Sequence, residues 1–181
     1  MVLLVLAVVV LLGVFLAGMY NRLVQLRVRS ESAWSDIDVQ LKRRHDLIPN
    51  LVETVKGYAA HEKDTFENIA KFRSMAMQAT GPVDKAAAEN QLTGALKSLF
   101  AVAENYPQLQ ASQEFTQLQN SLSEIEDAIQ NARRYYNAVV RDLNTKIQSF
   151  PTNILAGMYG FQQKQFFEAA AADREPVAVK F

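Results

Sequence analysis

The chain has 181 residues, with 19 Lys and Arg, 19 Asp and Glu, two His and no Cys. Since domains run to about 100–200 residues, this length allows one domain and an appendage. The formal net charge of +0 lacks the positive field of a dedicated nucleic-acid binder. Without Cys there are no disulfides or thiolate metal sites, and two His are too few for a histidine-built zinc site. We therefore expect no nucleic-acid partner, no cofactor and no metal ion.

The first element is an uninterrupted apolar stretch, MVLLVLAVVVLLGVFLAGMY at residues 1–20. At 1.5 Å per residue a helix of this length measures about 30 Å, the thickness of the hydrocarbon core of a bilayer. The alternatives are a buried core helix and a cleaved signal peptide, but signal peptides open with basic residues and no Lys or Arg precedes Arg22. Lipid modification is excluded because Met19 stands where a lipoprotein would need Cys. The stretch predicts a single transmembrane helix that contacts the lipid bilayer through residues 1–20.

The charges that follow the span bear on its orientation. The first basic residues after the span are Arg22, Arg27 and Arg29, and the next cluster along the chain is Lys42, Arg43 and Arg44. By the positive-inside rule the C-terminal body is expected on the cytoplasmic side of the membrane.

Beyond Tyr20 the sequence is charged and has a helical period. Pro49 interrupts this period, and because proline has no N–H it cannot bond the carbonyl of His45. We expect a kink or break at Pro49, with the His45 carbonyl free for another partner. Gly57 adds flexibility, but the first strong helix stop is at Thr80-Gly81-Pro82.

The next elements are also predicted helices. Asp84 or a neighbour caps a helix through about Ala103, and Pro107 ends that element. No Gly or Pro then interrupts residues 109–150, which predicts one helix of about 60 Å. Its apolar positions recur at alternating steps of three and four: Phe115, Leu118, Leu122, Ile125, Ile129, Ala132, Tyr136, Val139 and Leu143. This pattern is typical of a bundle or coiled-coil seam, with residues such as Glu126 and Asp127 on the wet face.

A short helix and a tail complete the chain. Phe150-Pro151-Thr152-Asn153 stops the long helix, and a short helix from Pro151 or Thr152 ends between Gly157 and Gly160. Residues 176–181 alternate with period two and are expected to be partly extended. The predicted fold is all-α, with a transmembrane helix at 1–20, a helical body at 21–168 and a C-terminal tail at 169–181.

Several segments together resemble the signatures of the LemA family of bacterial membrane proteins. They cover nearly the whole chain in the family's order: Tyr20-Asn21-Arg22-Leu23-Val24, residues 33–59 (AWSDIDVQLKRRHDLIPNLVETVKGYA), Glu104-Asn105-Tyr106-Pro107, Ala132-Arg133-Arg134-Tyr135-Tyr136-Asn137 and Phe150-Pro151-Thr152-Asn153. The resemblance implies an antiparallel four-helix bundle with a long, Pro-kinked first helix, in the bacterial inner membrane, and no established reaction. Some members of the family carry a lipobox cysteine and have bodies outside the cytoplasm, which makes a periplasmic orientation the alternative.

The sequence contains no convincing catalytic motif. His61-Glu62 begins like a zincin motif, but Thr65 occupies the place of the second His. Asp36 and Asp38 are two residues apart and point to different helix faces, so they do not converge as an acid–base pair. We predict that the protein is not an enzyme and has no catalytic residues.

The candidate partner-binding residues lie around Pro49: Arg43, Arg44, Asp46, Asn50 and Glu53. The spacings of three and four between Asp46, Asn50 and Glu53 place these side chains on one helix face. The arginines can bind carboxylates or phosphates through two parallel hydrogen bonds.

Three interpretations of this polar set remain open. In the first, the residues join the first helix to the regions around Arg133-Arg134 and Asn153. In the second, they bind a protein partner. In the third, they contact anionic lipid headgroups, although a helix to Lys42 would place them about 30 Å from the bilayer.

Two functions follow from the sequence. The first is a membrane-anchored helical scaffold or adaptor of the cell envelope that binds a protein partner or forms a homo-oligomer. The alternative is a helical bundle that handles lipids or small molecules at the membrane. A filled core favours the scaffold, whereas an apolar cavity of about 300 Å³ or more favours the carrier.

Overall fold

The computed structural model describes residues 1–168, and every regular element in this part of the chain is helical. The helices are α1 (Val2–Lys56), α2 (Lys63–Gln78), α3 (Pro82–Ala103), α4 (Pro107–Gln110), α5 (Gln113–Gln148) and α6 (Thr152–Met158). The all-α prediction is confirmed for these residues, whereas the antiparallel four-helix arrangement stays a prediction. The extended tail predicted within 169–181 lies outside the described residues.

Helix α1 is continuous over 55 residues and contains Pro49 without a break. It is long and apolar enough to cross a membrane, and its most apolar stretch is wholly exposed. An exposed apolar surface of this length is costly in water, because every side chain would have to be hydrated. Among residues 1–168 there is therefore one candidate membrane-spanning helix, at the predicted position.

The end of α1 corrects the predicted first helix stop. We expected the chain to remain helical until Thr80-Gly81-Pro82, but α1 ends at Lys56 and α2 begins at Lys63. The amides of Tyr58 and Ala59 both donate to the carbonyl of Val55 and form the turn. Ala59 is nevertheless 1% exposed, so the apolar spacing continues across the turn and conceals it in the sequence.

The other helix boundaries are close to those predicted. Gly81 precedes α3 with a φ of 78°, a conformation that suits glycine, and Pro82 opens the helix. Asp84 therefore lies in the first turn of α3 and does not cap it. Helix α5 has 36 residues, about 54 Å, because the short α4 occupies the start of the region predicted as a single helix.

The apolar stripe predicted along α5 is confirmed by the burial of its side chains, whereas the coiled coil stays a prediction. Its buried members are Phe115, Leu122, Ile129, Tyr136, Val139 and Leu143, and its half-buried members are Leu118, Ile125 and Ala132. An apolar stripe of this kind stabilises a helix chiefly through tertiary packing.

The chain forms two compact units, and α1 and α5 contribute residues to both. The first unit comprises residues 1–36 and 134–165, with a core of Leu23, Leu26, Leu143 and Ala156. The second unit comprises residues 37–133 and the described residues after 165. Its core includes Leu51, Val55, Ile69, Leu92, Leu99 and Leu109. The predicted division at residues 20 and 168 stays a prediction.

Candidate functional site

The structure divides the five predicted partner-binding residues between two faces of α1. Arg43, Asp46, Asn50 and Glu53 are exposed, and their spacings of three, four and three place them in one line along the helix. We call these four residues the exposed stripe. Arg44 is only 2% exposed and lies in the interior of the second unit.

Arg44 connects α1 to α3 and α5 through its guanidinium group. Its Nη1 atom lies 2.7 Å from Oε1 of Glu126 on α5. Its Nη2 atom donates to Oγ1 of Thr93 at 2.7 Å and to the carbonyl of Glu89 at 3.3 Å. The Glu89 carboxylate is also near, with Oε2 3.7 Å from Nη2. A planar guanidinium suits this arrangement because it directs several N–H groups at fixed angles.

The adjacent residue, His45, bonds the same acidic side chain. Its Nε2 atom lies 2.8 Å from Oε1 of Glu89, and the two residues are 7% and 5% exposed. Removing charges from water is costly, and buried ion pairs seldom stabilise a fold more than apolar packing would. Any other rotation of α1 would leave a buried charge without its partner, which is strongly unfavourable.

The carbonyl freed by Pro49 also has a partner. Nε of Arg73, on α2, donates to the carbonyl oxygen of His45 at 2.8 Å. This hydrogen bond confirms the sequence prediction that the missing N–H of Pro49 leaves the His45 carbonyl open. Residues 44 and 45 thus bring together α1, α2, α3 and α5 within the second unit.

The exposed stripe has mixed charge. Nζ of Lys42 lies 2.6 Å from Oδ2 of Asp46, four residues along α1. This hydrogen bond from Lys42, assisted by the positive charges of Lys42 and Arg73, lowers the pKa of Asp46 below its ordinary value. Arg43 and Glu53 mark the two ends of the stripe, with Asn50 between Asp46 and Glu53.

The partners of Arg44 differ from those expected for a structural role. We expected contacts with the regions of Arg133-Arg134 and Asn153, but Arg44 binds Glu89, Thr93 and Glu126. The assignment of Glu126 to the wet face also needs correction, because its side chain is 30% exposed and faces Arg44.

Sequence reasoning missed Glu89, although its position carried a signal. The buried residues Glu89, Leu92, Leu96 and Leu99 of α3 are separated by three, four and three positions. Glu89 is therefore in phase with the apolar face of α3. An acidic residue in such a phase indicates a buried cationic partner, since unpaired carboxylates are rarely buried.

Over residues 1–168 these features define a helical protein with one candidate membrane-spanning helix, and with a buried cluster of charged side chains behind an exposed polar stripe. The family model described as LemA family matches residues 33–181. The chain belongs to the LemA family, as the resemblance of its motifs implied.

Curated relatives span most of the chain. Magnetosome protein MamQ 1 of Paramagnetospirillum magneticum is 29% identical over an alignment of 203 residues, which covers 98% of this chain and 74% of the relative. Protein LemA of Metamycoplasma hominis is 29% identical over 164 residues, which cover 88% of this chain and 74% of the relative. Magnetosome protein MamQ of Magnetospirillum gryphiswaldense is 27% identical over 184 residues, which cover 87% of this chain and 68% of the relative.

Proposed function

We propose that this protein is a single-pass, membrane-anchored helical scaffold or adaptor of the bacterial cell envelope. The observation that carries the proposal is the continuity of α1, since one uninterrupted helix contains both the apolar span and the exposed stripe. A scaffold needs an anchor and a binding face, and one continuous helix contains both. The antiparallel four-helix bundle predicted from the sequence is the body that would present this face.

The exposed stripe is the proposed binding face for a protein partner. It contains one cation, one amide and two carboxylates, with Arg43 at one end and Glu53 at the other, and Asp46 is already paired with Lys42. Such a mixed pattern favours a protein surface of complementary charges over a uniformly anionic lipid headgroup layer. Arg44 belongs to the same proposal as a positioning residue, because its buried contacts set the rotation of α1 behind the stripe.

We propose the bacterial inner membrane as the location, with the body in the cytoplasm. The cluster of Arg22, Arg27 and Arg29 immediately after the span supports this orientation. No catalytic role is assigned to any residue in this proposal.

The binding face can be tested in the full-length protein. Alanine at all four stripe positions should remove co-purifying proteins while changing stability little, because exposed substitutions typically cost within about 0.5 kcal/mol each. The chain offers a control on α2, where Asp64, Glu67, Asn68 and Lys71 are also exposed and supply the same two acids and amide, with Lys in place of Arg. Affinity capture from membranes, with mass spectrometry and thermal unfolding, compares the two variants.

The control should retain every partner that the stripe variant loses. Light scattering in detergent would detect a second copy of the chain as the occupant, since the oligomeric mass would then fall only in the stripe variant. If the two variants retain the same partners and the same mass, the stripe is not the binding face.

One observation favours the alternative function of handling lipids or small molecules. Two apolar grooves, of about 300 and 600 Å³, lie beside the span in the first unit. Their volumes reach the range of ligand sites.

A further inference from the structure

The segment between Lys146 and Lys164 has an unusual composition for a surface region. Its 17 residues include no Asp, Glu, Lys, Arg or His, and they contain α6. Four large side chains in it are strongly exposed: Phe150 at 80%, Ile154 at 56%, Met158 at 73% and Tyr159 at 60%. We call these four residues the α6 patch. Contiguous exposed apolar groups of this size usually mark a surface that contacts a partner or a membrane.

The α6 patch lies at the level of the last turns of the apolar span. The ring centroids of Tyr159 and Tyr20 are 4.8 Å apart. A groove of about 600 Å³ lies between the span and α6, lined by Gly13, Ala17 and Tyr20 on α1 and by Pro151, Ile154 and Met158 on the other side. Gly13 and Tyr20 are separated by about 10 Å along the helix axis. Segment 150–159 therefore runs beside the part of α1 that would enter the hydrocarbon from the body side.

The opposite side of α6 is held in the core of the first unit. Ala156 is 1% exposed and packs with Leu23, Leu26 and Leu143. Leu155, the next residue towards the N-terminus, is 8% exposed. Because α6 is held by these contacts, the exposed side chains cannot all turn inward, and contact with an external apolar phase would remove them from water at a gain in free energy.

A second groove, of about 300 Å³, combines an apolar floor with a cationic edge. Its floor is formed by Val14, Phe15 and Gly18 of α1, and Arg22 and Lys146 also line it. Arg22 is one helical turn beyond Gly18, so its guanidinium follows the apolar surface directly. A floor for an acyl chain next to two cations is the arrangement that a phospholipid with an anionic head requires.

We propose that the α6 patch inserts into the bilayer interface beside α1, and that the second groove binds one anionic phospholipid with its phosphate between Arg22 and Lys146. This inference rests on the proposed membrane anchor. Lipid is the occupant because the patch is continuous with the exposed surface of the span, which a bilayer must cover. Interfacial segments typically bury their apolar face about 5–10 Å deep, which agrees with the length of α1 that α6 accompanies.

The absence of Cys allows the depth of single positions to be measured in the full chain. Met158→Cys, Met77→Cys and Leu11→Cys would each carry a nitroxide label, with the protein reconstituted in phosphatidylcholine vesicles containing phosphatidylglycerol. Met77 on α2 is the matched control, since it is also an exposed methionine, at 56%. Collision rates with oxygen, which concentrates in lipid, and with a water-soluble nickel chelate report the depth of each label.

We expect labels at 11 and 158 to collide several-fold more with oxygen than with nickel, and the label at 77 to show the reverse. If the label at 11 is in water, the membrane anchor itself is wrong. If the label at 11 is in hydrocarbon but the label at 158 is in water, the anchor stands and the insertion of α6 is overturned. Shielding of position 158 from both reagents would also overturn the proposal, because a protein would then cover the patch.

The phosphate site has its own test with spin-labelled lipids. We expect the full-length protein to immobilise phosphatidylglycerol in preference to phosphatidylcholine, and Arg22→Gln with Lys146→Gln to abolish this preference. Arg29→Gln with Arg141→Gln removes two exposed positive charges of the same unit elsewhere and serves as the control. An unchanged preference in the Arg22 and Lys146 variant, or an equal loss in both variants, would overturn the specific site.

Discussion

The two units of the chain use polar groups in different ways. In the first unit the buried polar groups are neutral: Asn144 donates through Nδ2 to the carbonyl of Lys164 at 2.8 Å and accepts the Lys164 N–H through Oδ1 at 2.9 Å. The Tyr136 hydroxyl donates to the carbonyl of Gln165 at 2.9 Å. In the second unit the buried groups are charged, with Arg44 between Glu89 and Glu126.

The difference follows from what each unit has to satisfy. Residues 162–165 follow α6 and are not helical, so their backbone groups need partners, and amide and hydroxyl side chains supply them without burying a charge. In the second unit the cluster joins helices whose backbone groups are bonded within each helix, apart from positions such as the carbonyl of His45, which accepts from Arg73. Side chains there must satisfy one another, and an arginine can reach several acceptors on two helices at once.

The largest effect expected from breaking either arrangement is that of Arg44→Ala. Removing the cation leaves the buried Glu89 carboxylate and the half-buried Glu126 carboxylate without it, which should cost about 3–5 kcal/mol of the free energy of unfolding. Arg44→Lys should recover only part of this loss, because a point charge cannot reproduce the guanidinium contacts. Chemical unfolding of the full-length protein in detergent measures both.

The adjacent arginine provides the control for this variant. Arg43 is exposed, so Arg43→Ala should change the free energy of unfolding by no more than about 0.5 kcal/mol. Equal losses in Arg43→Ala and Arg44→Ala would show that the charged cluster does not hold the second unit.

A smaller loss is expected for Asn144→Ala in the first unit. The substitution removes both hydrogen bonds to the Lys164 backbone, at a cost of about 1–3 kcal/mol if those groups stay shielded from water. Exchange of the Lys164 amide hydrogen should accelerate at the same time. Gln148→Ala, which removes an exposed bond to Gln163, is the control and should leave this exchange unchanged. Slow exchange retained in Asn144→Ala would contradict the role given to Asn144.

The smallest effect on stability is expected for Tyr136→Phe, and this effect depends on pH. Burial raises the pKa of Tyr136 above its ordinary value of 10.0. As the pH rises, the unfolded chain therefore loses the phenolic proton before the folded chain does. The contribution of protonated Tyr136 to stability is complete below pH 10 and is lost as the pH rises through the higher pKa of the folded state. Tyr136→Phe should remove this alkaline loss and cost about 0.5–1.5 kcal/mol at neutral pH.

Unfolding curves between about pH 8 and 11, with phenolate absorbance, measure this dependence. Tyr135→Phe is the neighbouring control, since Tyr135 is 54% exposed and should leave the alkaline dependence intact. An identical pH dependence in wild type and Tyr136→Phe would exclude Tyr136 as its source.

Local sequence rules account for much of the fold. The apolar span, the helical seam of α5, the opening of α3 at Pro82 and the short α6 were all predicted, because periodicity, Gly and Pro act within a few residues along the chain. The free carbonyl of His45 was also predicted by a local rule, since only the missing N–H of Pro49 was needed to predict it.

Only the tertiary structure decided which side chains contact Arg44. Sequence placed Arg44 with Arg43 in one polar set, but packing buried Arg44 against Glu89 and Glu126, which lie 45 and 82 positions away along the chain. The end of α1 at Lys56 was also missed, because Ala59 keeps the apolar spacing while the backbone turns. Periodicity identifies which face of a helix is buried, but it carries no information about which distant side chain fills the space opposite, since that depends on how the helices pack.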